Sequence, residues 1–297
     1  MMAGFADQPV VERTFVEASE ILGTDLWALA NDGPTDAQNQ TVNTQPLMLV
    51  AGVACYRAWI DHGGSLPAVF AGHSLGEYTA LVAAGALSFA DALTLVKIRA
   101  VAMQEAVPEG VGGIAAVLGL DADAVRAVCA EAAEGYVLDA VNLNSPGQVV
   151  IAGHRNAVER GIVLAKARGA KRAMMLPMSV PSHCALMKPA AERVADAIKH
   201  IDVTVPTTPV IQNADVVAHT SSEAIKQALV EQLYRPVRWI ETVQAIAAMG
   251  VVSVIECVPG KVLTGLNKRI DVTLQCHAVT GIESLLAAIV LTQKGTH

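Results

Sequence analysis

The chain of 297 residues is 53% apolar and 16% charged, with a formal net charge of −7. A chain this long buries roughly three quarters of its unfolded surface without needing a disulfide or metal staple. The apolar content excludes a disordered chain, and the negative balance argues against nucleic acid as a partner, because that affinity depends on Lys and Arg neutralising phosphates.

In chain order, Val11, Phe15, Ala18 and Leu22 follow helical spacing and Gly23 supplies a stop. A helix is expected from Thr44 to Ile60, with Leu47, Ala51, Ala54 and Ala58 on one stripe. Arg57 interrupts its apolar run, so it falls short of the roughly eighteen residues a membrane span needs, and no membrane association is expected. A short apolar strand, Pro67-Ala68-Val69-Phe70-Ala71, meets Gly72-His73-Ser74-Leu75-Gly76 and a helix from Glu77 to Ala84; a further helix covers Phe89 to Ala106. Between Pro108 and Val180 the rhythm changes: strand 113–118, helix 121–135, strand 137–143, a turn at Asn144-Ser145-Pro146-Gly147, strand 148–152, helix 156–168 and strand 172–178. The order βαββαβ is that of a ferredoxin-like unit. It reads as an insert at 108–178 within a unit made of 1–107 and 179–297. There strands at 209–212 and 251–257 alternate with helices at 223–234, 237–249 and 282–291, which implies a mainly parallel sheet flanked by helices. The amino terminus is neither basic nor followed by an apolar core, so no secretory leader is expected. Cys55, Cys129, Cys184, Cys257 and Cys276 are scattered without a CxxC, which fits a reducing cytoplasm.

Gly72-His73-Ser74-Leu75-Gly76 fits G-x-S-x-G, the nucleophile elbow. A serine at a sharp strand-to-helix turn stands clear of the backbone, glycines two residues to either side let chain and helix pass closely, and the Leu75 N–H can donate to an oxyanion. Serine needs a neutral base. Among eight histidines, His183 sits in the proline-held loop Val180-Pro181-Ser182-His183-Cys184 where the insert rejoins the main unit; the local pattern leaves a purely structural role open. His73 points away from the serine by the geometry of the elbow, His154 opens a helix, and His62, His200, His219, His277 and His297 read as solvated. Cys184 reads as a buried small side chain. Arg99 has apolar helical neighbours Leu95, Val96, Ala102 and Met103, which pull a guanidinium inward toward an anion. Lys97 has a similar neighbourhood, so periodicity alone does not separate an inward arginine from one reaching the surface. Facing the serine, a planar fork suits a substrate carboxylate.

The elbow with Glu77, then Arg99, Asn144-Ser145-Pro146-Gly147-Gln148, Val180-Pro181-Ser182-His183 and Gln232-Leu233-Tyr234-Arg235-Pro236 follow one another as in malonyl-CoA:acyl carrier protein transacylases, and the resemblance runs from about Pro9 to Leu291. It implies a hydrolase-like α/β unit carrying the ferredoxin-like insert, with the site in the cleft between them. Ser74 would take malonyl from coenzyme A, a substrate thioester rather than a resident cofactor, and pass it to the phosphopantetheine thiol of the carrier. His183 would be the base, oriented by the backbone carbonyl of Gln232. Arg99 would hold malonate's free carboxylate, and Leu75 would give one oxyanion donor. No metal is implied.

Family members open with a strand and a Gly-Gln-Gly-Ser-Gln loop whose Gln N–H is the other oxyanion donor. This sequence contains no such loop, and losing one donor costs about 10²–10³ in kcat, so the resemblance carries an expectation of impaired activity. Val258 in Cys257-Val258-Pro259-Gly260 replaces the family's glycine, which disfavours a positive φ there. The carrier is acidic, so docking needs a basic patch: Lys166, Arg168, Lys171 and Arg172 are the densest cluster, Lys171 and Arg172 the steering pair, and Lys268 with Arg269 a second candidate. Two rival readings stay open. A serine esterase or thioesterase would want an acid on His183, for which Asp139 is nearest; a carrier-binding remnant would need no catalysis.

Overall fold

The computed structural model describes residues 2–177, 180–257 and 260–294. The chain opens with helices α1 (Pro9–Leu22), α2 (Leu26–Asp32), α3 (Thr35–Asn39) and α4 (Thr41–Asp61). Gly23 closes α1 in the left-handed conformation, φ 63°. The expected single stripe on α4 is corrected: Leu47, Leu49, Val50, Ala51, Val53, Ala54, Cys55, Ala58 and Trp59 are all buried, so the helix is enclosed on most sides. Strand β1 (Phe70–Ala71), α5 (Gly76–Ala83) and α6 (Phe89–Glu105) follow, the strand shorter than expected.

Next come β2 (Gly112–Leu118), α7 (Ala122–Ala133), β3 (Leu138–Ser145), β4 (Gln148–His154), α8 (Arg155–Ala167) and β5 (Arg172–Met175). They form an antiparallel sheet ordered β3-β4-β2-β5, the βαββαβ arrangement with its first and third strands paired at the centre. One face packs Val117, Val149 and Ile151 under Val125, Val128, Ala157 and Val158 of the two helices. The other face packs Ile114, Val141, Val150 and Ala152 against Cys184. Strand β3 extends through Ser145, so only Pro146 and Gly147 remain for the turn. The boundary placed at residue 178, and Val258 with Pro259, lie outside the described residues.

The remainder is α9 (Lys188–Ile198), β6 (Val210–Ile211), α10 (Ser222–Glu231), α11 (Trp239–Ala248), β7 (Ser253–Glu256), α12 (Val262–Ile270), β8 (Gln275–Ala278) and α13 (Ile282–Lys294). Strands β1 and β6 pair in parallel, as do β7 and β8. Helices α1, α4, α5, α6, α9, α10 and α13 contribute to one large apolar core. The antiparallel unit is stitched to this part through Val237, whose N–H donates to Val141 O (2.8 Å) and whose carbonyl accepts from Leu143 N (3.0 Å). The architecture is α/β: parallel strand pairs flanked by helices, with a ferredoxin-like unit.

Candidate active site

Ser74 lies between β1 and α5 with φ 52°, and His183 also holds a left-handed backbone, φ 64°. Non-glycine residues adopt that region rarely and at a cost, so two of them facing each other mark a site held by its surroundings. Gly72 makes the sharp elbow possible: a Cβ there would stand 1.9 Å from Gly76 O. Ser74 Oγ is 2.8 Å from His183 Nε2. The Nδ1–H of His183 donates to Gln232 O at 2.7 Å, which fixes the tautomer and leaves Nε2 as the acceptor for the serine hydroxyl. The backbone N–H of His183 donates to Leu233 O at 3.0 Å. Asp139 does not reach His183; it accepts from the Ala185 N–H instead. The acid that an esterase triad would place there is thus replaced by a carbonyl.

Arg99 is 1% exposed, which settles the choice between inward and outward placement. Its Nη1 donates to Gln45 Oε1. Its Nη2 donates to Gln232 Oε1 (3.0 Å) and to Ser74 Oγ (3.2 Å), while Nε is buried without a partner among the described residues. Tyr78 lies beneath the guanidinium, 5.5 Å from ring centroid to Cζ. The contrast with Lys97 is physical: Lys97 finds a backbone carbonyl, Val42 O, at 3.5 Å, while Arg99 faces three side-chain oxygens.

Burial, reinforced by the Arg99 charge, lowers the His183 pKa to about 3, so the imidazole is neutral at any pH near neutrality and its Nε2 lone pair is available to the serine hydroxyl. Burial likewise lowers His73, opposed by its bond to Asn144 Oδ1 (2.9 Å). His73 does point away from the serine and packs against Trp239. Burial raises Glu77 to about 7 despite bonds from Gln212 and Asn213 and the nearby Arg99 charge. Cys184 is fully buried, its thiol donating to Pro181 O at 3.1 Å and pushed up to about 12, so it is inert. His154 accepts the Val137 N–H through Nδ1 (3.0 Å), and His62 and His219 bond Gln8 and Asp215, a correction to reading all three as capping or solvated.

Gln45 and Asn213 escaped the sequence reading. Each had a signal: Gln45 is polar inside the apolar α4, and Asn213 stands just past the carboxyl end of β6, where open α/β sheets build their sites. Lys171 and Arg172 are exposed at the start of β5. Lys171 lines a cavity of about 300 Å³ with Ser145, Gly147, Gln148 and Arg269, and Arg269 Nη2 donates to Gln148 Oε1 at 2.8 Å. One residue of each basic cluster, Lys171 and Arg269, therefore lines the same cavity.

Residues 10–275 match the acyl transferase domain family. The chain is 55% identical over 286 residues to the malonyl CoA-acyl carrier protein transacylase of Escherichia coli (strain K12), covering 96% of this chain and 93% of that protein. It is 44% identical over 282 residues to the protein of the same name from Bacillus subtilis (strain 168), covering 95% and 89%. Among solved structures, an acyl-carrier-protein S-malonyltransferase from Burkholderia pseudomallei superposes with a TM-score of 0.96 at 55% identity, covering 97% of this chain and 94% of that one. A malonyl-transacylase in complex with its type II PKS acyl-carrier protein superposes with a TM-score of 0.94 at 53% identity, covering 95% and 92%.

Proposed function

Since the chain belongs to the acyl transferase domain family, among its malonyl-CoA:acyl carrier protein transacylases, we propose that Ser74, His183 and Arg99 carry out its reaction. That reaction moves malonyl from malonyl-CoA to the phosphopantetheine thiol of acyl carrier protein, in fatty acid synthesis. The observation that carries the assignment is the convergence on one serine oxygen of a neutral imidazole at 2.8 Å and a buried guanidinium at 3.2 Å.

Ser74 Oγ attacks the thioester carbonyl and its proton passes to His183 Nε2; the Gln232 carbonyl holds the resulting imidazolium through Nδ1–H. The tetrahedral oxyanion takes the Leu75 N–H at the positive end of α5. Collapse breaks the C–S bond, and His183 returns the proton to the departing coenzyme A thiolate. In the second half the carrier thiol gives His183 its proton and attacks the malonyl ester, and Ser74 leaves with that proton. Arg99 fixes the malonyl group by its free carboxylate, replacing hydrogen bonds to neutral oxygens with an ion pair formed out of water. Coenzyme A enters as its malonyl thioester, a substrate, and leaves as the free thiol.

The same reading assigns 1–107 with 179–297 to a catalytic unit and 108–178 to the insert, with the site between them, where Asn144 of β3 meets His73 of the elbow. Lys171 and Arg172 would guide the acidic carrier; the cavity joining Lys171 to Arg269 supports placing its phosphate-bearing arm there. The five free cysteines support a cytoplasmic enzyme. Double displacement is tested by exchange of label between free coenzyme A and malonyl-CoA with no carrier present. Exchange at a rate comparable with overall transfer is expected; its absence would require direct transfer and overturn the covalent route.

A further inference from the structure

Asn213 follows β6, which pairs with β1 in the register Phe70 to Val210 and Ala71 to Ile211. The two chains therefore reach the elbow side by side. Asn213 is fully buried, and its side chain spans the elbow. Oδ1 accepts the Ser74 N–H at 2.7 Å, and Nδ2 donates to Gly72 O at 2.7 Å. Its own N–H donates to Glu77 Oε2 at 2.7 Å, and its carbonyl accepts from Arg238 N at 3.3 Å. Glu77, also fully buried in the first turn of α5, takes a further bond from Gln212 Nε2 at 3.1 Å. The loop then turns back through Val216, a β-branched residue at φ 63°, with Val216 N on Gln212 O and Gln212 N on Val217 O, both 3.1 Å. A strained loop thus carries a residue whose every polar atom is engaged.

The chemistry at the elbow is selective. Ser74 offers a donor and Gly72 an acceptor, and a carboxamide presents one of each in a planar group of this size whatever the pH. A carboxylate would oppose the Gly72 carbonyl with a second acceptor, and an apolar isostere would leave both backbone groups buried and unpaired. We propose that Asn213 is a positioning residue for the nucleophile: its amide holds the left-handed backbone of Ser74 so that Oγ meets His183 and Arg99 together, and Glu77 holds Asn213. This rests on Ser74 being the nucleophile of the acyl transfer above.

The test compares wild type, Asn213→Asp and Asn213→Leu. Ser74 is labelled by a fluorophosphonate, where an Oγ–P bond forms, P–F breaks, fluoride leaves and the serine proton passes to His183. Malonylation by malonyl-CoA is timed in parallel, and malonyl-CoA binding is measured with the same substitutions in a Ser74→Ala background. Both Ser74 rates should fall about 100-fold while binding changes by less than about threefold, with the thermal midpoint showing a folded chain. A folded variant labelled at the wild-type rate would overturn the proposal. So would a parallel loss of labelling and binding, or loss of the fold in both variants, either of which makes Asn213 a stability residue only. If the wild type reacts with the fluorophosphonate but not with malonyl-CoA, the transfer reading fails and the clamp stands; undiminished labelling in the variants does the reverse.

Discussion

Replacing Arg99 with alanine should abolish the enzyme's choice of malonyl over acetyl more than it lowers reactivity in general. The Arg99 side chain sits at 1% exposure, so the pairing proposed for it with a substrate carboxylate would take place away from water. Removing one member of such a pair costs about 3–5 kcal/mol, or roughly two to nearly four decades of kcat/KM for malonyl-CoA. Acetyl-CoA has no carboxylate to strand. It should feel only the loss that both thioesters share, because Arg99 donates to Ser74 Oγ at 3.2 Å and steadies Gln232, whose Nε2 donates to Ser74 O at 2.9 Å. That shared loss should stay within about tenfold, so the ratio of the two kcat/KM values isolates the carboxylate contact. Arg99→Lys should fall between, because an ammonium cannot serve Gln45 and Gln232 together in fork geometry. The assay is single-turnover acylation of Ser74 by each thioester. Equal losses for both would exclude the carboxylate contact and leave Arg99 acting on the serine alone.

Three further outcomes follow from particular contacts. Glu77 has a folded pKa near 7, above its ordinary 4.5, so the stability it contributes is complete below pH 4.5 and is lost as pH rises through 7. The amount is up to about 3 kcal/mol; thermal midpoints should fall across that window in wild type and be flatter in Glu77→Gln, and parallel profiles would contradict it. Gly72→Ala would put a Cβ 1.9 Å from Gly76 O and 2.0 Å from Gly76 C, both backbone atoms that cannot swing aside. A loss above about 4 kcal/mol in urea titration is expected, and a stable, reactive variant would show that the elbow is less tight. Reversing Lys171 and Arg172 to glutamate should slow transfer to the carrier, most at low salt, while leaving acylation from malonyl-CoA intact; unchanged carrier kinetics would remove that surface from the account.

The elbow could be read from the sequence because its requirements are local: an apolar strand, a turn only glycine-flanked chain can make, and a helix opening at once. Helix α1 was legible for a similar reason, since its apolar spacing and terminal Gly23 lie within one segment. What failed was whatever depends on a distant neighbour. Arg99 and Lys97 look alike along α6, and only the fold shows that one meets Gln45, Gln232 and Ser74. Gln232 contributes both a backbone carbonyl and a side chain to the site, and no pattern within α10 announces either; its role came from the resemblance alone. Strand β8 was missed because Gln275 and His277 dilute a run of four residues, and α12 because it follows closely on β7. Helix α9 had a usable signal in Pro189 at its start and Ala190, Ala191, Val194 and Ile198 on its buried face.

In the proposed mechanism one serine ester carries the malonyl group between its two thiol partners. That ester is sought by mixing enzyme with malonyl-CoA, quenching within milliseconds and mapping the adduct by peptide mass spectrometry. The account requires a stoichiometric malonyl group on Ser74 that disappears when holo-carrier is added, with none in Ser74→Ala and a greatly slowed appearance in His183→Ala. Malonyl on any other side chain, or full-rate delivery to the carrier by Ser74→Ala, would contradict it.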